Sequence, residues 1–236
     1  MDGREYMKKF LLILSLLILP MASANEEDLL IENNKINTRI NNIGTKILNA
    51  NKIEKRIVFT YDKNTKLNLL KGTETLTKRQ VVVYGDAYGD LETDEELAAY
   101  LAREIPAALR SYDGIANGWL SSAKIKAAPK KYELVFDKFA VDYLVKAGYN
   151  PLALIIYINK TCPQKRQDTI SNKNLTSKRL AHIYEYIYMK YPYFLVNNSY
   201  LENEYYQNFL LTSQNNRKLL REKVLAKDWK KDLKYE

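Results

Sequence analysis

The chain has 236 residues, 46% of them hydrophobic and 28% charged, and Lys+Arg 37 against Asp+Glu 28 leave a net charge of +9. The apolar share excludes a disordered chain, while eight glycines and six prolines exclude collagen-like and low-complexity architectures. A lone cysteine, Cys162, excludes an internal disulfide, and a lone histidine, His182, excludes any site that needs two imidazoles from one chain.

Residues 1–24 read as a signal peptide. Lys8 and Lys9 form a basic start, Phe10 to Leu19 form an apolar run of ten residues, and Pro20 with Ala22-Ser23-Ala24 supplies the break and the small-x-small pattern that a signal peptidase needs. The run is about half of the roughly 20 residues that a membrane span requires. Export to the periplasm, the cell envelope or the medium is therefore expected. There a basic protein meets anionic membrane surfaces and wall polymers first, so no nucleic acid is expected as partner.

From Glu26 to Asn51 the apolar positions Leu29, Ile31, Ile36, Ile40, Ile43, Ile47 and Leu48 recur at helical spacing, with Gly44 as a weak point. Arg56 to Tyr61 reads as a strand, and Gln80 to Tyr84 as a second one, closed by turn signals at Gly85-Asp86 and Gly89-Asp90. Thr93 to Glu96 forms a capping box in which the Glu96 carboxylate reaches back to the Thr93 amide. It opens a helix from Asp94 to about Ser111, with a kink or an early end expected at Pro106. After a loop from Asp113 to Lys131, a helix over Tyr132 to Ala147 ends at Gly148, and Asn150-Pro151 starts another through about Asn159. Asn174 to Lys190 is a further helix, and Leu201 to Lys234 holds one or two more. In the densest basic stretch, Arg217 to Lys234, the apolar residues Leu219, Leu220, Val224, Leu225 and Trp229 favour the inner stripe of a solvated amphipathic helix over a lipid-contacting face. The fold class is α+β, mostly helical, with a small sheet.

Four segments in order carry a resemblance. QVVVY followed by TDEELAAYLAREI, then YELVFDKFAVDYLVKAGYNPLALIIYINK, then TSKRLAHI, together with the leading helix and RIVFTY, resemble the zinc metallopeptidases of family M-48, the CAAX-prenyl-protease and envelope-quality-control group, over Asn34 to Ile187. The resemblance implies a gluzincin-like metallopeptidase scaffold over 25–190, with a helical C-terminal extension over 191–236. In an intact H-E-x-x-H motif two imidazoles on one helix face bind zinc, and the Glu between them activates the bound water. Carried over residue by residue, Glu104 takes the general-base position, Glu133 the third-ligand position and Asp137 its i+4 companion, whereas the two histidine positions hold Arg103 and Ala107. A guanidinium stays protonated and cannot bind a cation, and Ala107 has no donor atom. The resemblance thus implies a vestigial site with no metal expected, in which Arg103 neutralises one of the carboxylates.

By the same resemblance, Val81, Val82 and Val83 take the place of the edge strand along which a peptide would pair. The protein is then expected to be an inactive metallopeptidase-like module that binds a peptide or protein partner in the envelope. Two alternatives are an active zinc endopeptidase with a non-standard ligand set, and a non-enzymatic binder of an anionic surface. The family's His-Pro pair would fall near Asn172 or Lys173 and is absent, while His182 reads as an ordinary helix histidine and Cys162 has no partner for nucleophilic chemistry. Among 19 tyrosines, those crowding the C-terminal third read first as packing for its helices and second as a partner-binding face.

Overall fold

A computed structural model describes residues 28–63, 79–113, 129–162 and 175–235. The expected signal segment, most of the two loops and the Asn172–Lys173 region lie outside the described residues. The chain divides into two compact units, Met1–Arg39 and Ile40–Glu236. Helix α1 spans residues 28–50; its stretch 28–39 belongs to the first unit and 40–50 to the second.

The elements that follow are β1 (Val58–Asp62), β2 (Gln80–Tyr84), α2 (Gly85–Gly89), α3 (Asp94–Leu109), a short 3-10 turn (Arg110–Asp113), α4 (Pro129–Lys146), α5 (Ala153–Thr161), α6 (Leu175–Lys190), α7 (Tyr193–Val196), α8 (Glu204–Thr212) and α9 (Gln214–Leu225). The architecture is mostly helical with one small parallel sheet, in which Val58 to Asp62 pair with Gln80 to Tyr84 in register. Two strands cannot stand alone. They are held by burial of Phe59, Val81 and Val83 and by helices α3 and α2 packing on β2.

Several local expectations change. On α1 the buried face is Ile40, Ile43, Gly44, Ile47 and Leu48, whereas Leu29 and Ile31 are exposed. Gly44 is a packing site and no weak point: a Cβ there would lie 2.6 Å from the Phe59 ring, so only glycine lets β1 approach. The glycines after β2 bracket the short helix α2 in place of simple turns. The Thr93 hydroxyl accepts from the Glu96 amide at 3.1 Å as expected, but the Glu96 carboxylate accepts from the Glu92 amide at 3.1 Å, one residue further back. Pro106 does not end α3, which runs on to Leu109, because Ile105, Ala107 and Ala108 are buried and their packing outweighs the lost hydrogen bond.

Helix α4 ends as its glycine predicts. Gly148 has φ +75°, its amide donates to the Val145 carbonyl at 3.1 Å, and the Tyr149 amide donates to the Leu144 carbonyl at 2.9 Å, a Schellman closure. Asn150 then primes α5 through its side chain, whose Oδ1 accepts from the Leu152 amide at 3.0 Å. Helix α5 is almost wholly buried, touching α3, α4, α6 and α8.

The C-terminal region corrects the expected inner stripe. Helix α9 stops at Leu225, and its buried positions are Asn216, Leu220 and Lys223. Lys223 tolerates burial because its Nζ donates to Glu185 Oε1 at 2.8 Å. Leu219 and Val224 are half-buried, and Leu225 and Trp229 are exposed. Several C-terminal tyrosines pack inward: Tyr186 and Tyr191 donate to Asp142 at 2.8–3.0 Å, Tyr200 donates to Glu95, and Tyr206 is buried beside Phe209. Tyr188 and Tyr193 remain exposed.

Candidate functional site

Helix periodicity makes the candidate site. On α3, Tyr100, Arg103, Glu104 and Ala107 fall at i, i+3, i+4 and i+7, and on α4, Glu133 and Asp137 fall at i and i+4. The two helices pack together, with Ala107 buried against Phe136. The facing side chains therefore meet.

Arg103 stands among three carboxylates. Its Nη2 donates to Glu133, its Nη1 to Glu104 Oε1 at 3.2 Å and its Nε to Asp137 Oδ1 at 3.3 Å. A second guanidinium arrives from α6. Arg179 grips Asp137 in a two-pronged contact, Nε to Oδ2 and Nη2 to Oδ1, each 2.8 Å, and its Nη2 lies 3.4 Å from Glu133 Oε2. Asp137 is 1% exposed and Arg179 5%. Burial pulls the Arg179 guanidinium down, but its bonds to Asp137 prevail and hold it above its ordinary range. The cluster joins α3, α4 and α6, with three negative and two positive groups.

Two tyrosines flank it. Tyr100 and Tyr157 meet edge to face with centroids 5.7 Å apart. Burial pushes both hydroxyls well up, with the Glu104 charge adding to the effect on Tyr100, so both stay neutral phenols. The Tyr100 hydroxyl donates to the Val82 carbonyl at 3.1 Å and so ties the strand to the cluster. Val81 and Val83 point into the core, and Val82 is half-buried with its carbonyl already holding that hydrogen bond.

The residues do not suit the zinc that the family resemblance implies. Arg103 and Ala107 provide no donor, and Glu104, Glu133 and Asp137 are each bonded to a guanidinium. Among the described residues, no group of three or more His, Cys, Asp and Glu side chains is placed to hold a metal ion. His182 has Nδ1 3.9 Å from Glu185 Oε2 and its ring edge-on to Tyr235, with centroids 4.9 Å apart. It borders a cavity of about 320 Å³ whose lining includes none of the cluster residues.

Sequence reasoning placed Arg103, Glu104, Ala107, Glu133 and Asp137, and the fold gathers them in one place. It gave Arg179, Tyr100 and Tyr157 no role. The Arg-Leu pair of TSKRLAHI was the signal that could have added Arg179. No family model, curated protein or solved structure matches this chain.

Proposed function

We propose that this protein is an exported, catalytically inactive relative of the M-48 zinc metallopeptidases that binds a peptide or protein in the cell envelope. On this reading the gluzincin-like scaffold survives while the metal position has been given to a side chain. The observation that carries it is the Arg103 guanidinium, which sits on the helix face where the first histidine would stand and bonds both Glu104 and Glu133. A fixed positive charge between the carboxylates supplies the neutralisation that a dication would otherwise give, without any Lewis acidity. Strand β2, paired on one side only among the described residues, offers an edge along which a peptide could add by displacing the Tyr100 hydroxyl from the Val82 carbonyl.

The test uses unfolded casein as the probe, with and without a chelator, at moderate and at high salt. Casein retained by the protein but left intact, at both salt concentrations, is the expected result. Chelator-sensitive cleavage would establish the alternative, an active zinc endopeptidase with an unrecognised ligand set. Retention that vanishes with salt would argue against a strand-edge groove.

A further inference from the structure

Two of the five apolar residues expected on the inner stripe of the last helix, Leu225 and Trp229, are on the outside. Leu225 is 76% exposed and Trp229 is 53% exposed, while the inner face of α9 carries Asn216, Leu220 and Lys223. Lys218 and Arg221 lie seven and four residues before Leu225, on the same exposed helix face. Lys227, at φ +54°, turns the chain just past the helix end, and Lys230 and Lys231 follow Trp229 on the exposed side. None of these five cations makes an ion pair among the described residues. Glu222, Asp228 and Asp232 interleave with them and reduce the local charge without reversing it.

We infer that this surface, from Lys218 to Lys231, is a docking site for an anionic lipid bilayer. Two apolar side chains fall far short of the area of about 800 Å² per partner that a stable protein interface needs. They suit a membrane interface, where a tryptophan sits at headgroup level, a leucine enters the acyl boundary, and lysine and arginine bind the phosphates around them. The surface shares no residue with the Arg103 cluster, so it stands whether or not the peptidase-like reading does.

Trp229 reports its own environment. The chain has two tryptophans, and Trp119→Phe leaves Trp229 as the single tryptophan of the full-length protein, excited selectively at wavelengths where its 19 tyrosines do not absorb. Vesicles of phosphatidylglycerol, carrying brominated acyl chains, are compared with vesicles of phosphatidylcholine carrying the same bromines. The expected result is a blue shift and bromine quenching of Trp229 with phosphatidylglycerol only, both lost at about 0.5 M salt. Lys218, Arg221, Lys230 and Lys231 all changed to Gln should weaken partitioning by more than about tenfold, and Leu225→Ala by several-fold, without changing the circular-dichroism melt. Trp229 emission that ignores phosphatidylglycerol, or that is quenched equally in both lipids, would overturn the inference. Because the signal is local to Trp229, vesicle binding by the apolar N-terminal segment does not register.

Discussion

Arg103 and Arg179 reach the same two carboxylates from different helices, yet they occupy different surroundings. The Arg179 side chain is 6% exposed and closes a two-pronged bond on an Asp137 side chain that is 1% exposed. The Arg103 side chain is 15% exposed, and its partners Glu104 and Glu133 are each 22% exposed. One end of the cluster is thus an internal strut between α4 and α6, and the other opens toward solvent. Charge pattern alone does not separate the two, because burial decides what each pair contributes. Taking one partner from a dry pair leaves a charge stranded, whereas a half-wet pair can be rescued by water.

Breaking the inner end should have the largest effect. Among the described residues, Arg179→Met leaves Asp137 with the 3.3 Å contact from Arg103 alone, and a poorly compensated buried charge costs about 3–5 kcal/mol, readable as a lower urea midpoint. A loss below about 1 kcal/mol would erase the distinction between the ends. Gly44→Ala serves as a packing control that touches neither end. Its methyl would meet the buried Phe59 ring, and overpacking of this kind costs about 1–3 kcal/mol. Arg103→Met should cost less, about 1–2 kcal/mol.

The smallest effect concerns a carboxylate outside the cluster. Burial raises the Glu95 carboxyl above its ordinary value of 4.5, partly offset by the Asn150 amide. A carboxyl raised in the folded state binds its proton more tightly there than in the unfolded chain. Stability therefore declines as pH rises from about 4.5 through the folded-state value, and Glu95→Gln should flatten that slope in thermal melts.

What the sequence disclosed was local. Strand β2 matches its expected limits, and α6 begins within a residue of its own, because β-branched runs and helical spacing are short-range signals. Gly148 closed α4 as its lack of a Cβ allows. The departures that shape the core involve partners distant in the chain. Gly44 answers to Phe59, Lys223 to Glu185, and Arg179 to an aspartate 42 residues away. The exposure of Leu225 and Trp229 was equally invisible, since helical spacing names a stripe without showing which neighbour covers it. The candidate site was legible through the family resemblance, which picked out Arg103, Glu104, Ala107, Glu133 and Asp137; their i, i+4 spacing then needs only that the two helices face each other.

The most direct measurement is the zinc content of the full-length protein after equilibration with excess zinc and removal of the free metal. The expected result is no stoichiometric zinc, with Arg103 remaining the partner of Glu104 and Glu133. One zinc retained per chain, and lost in Glu104→Gln or Glu133→Gln, would contradict the replacement of the metal by a guanidinium.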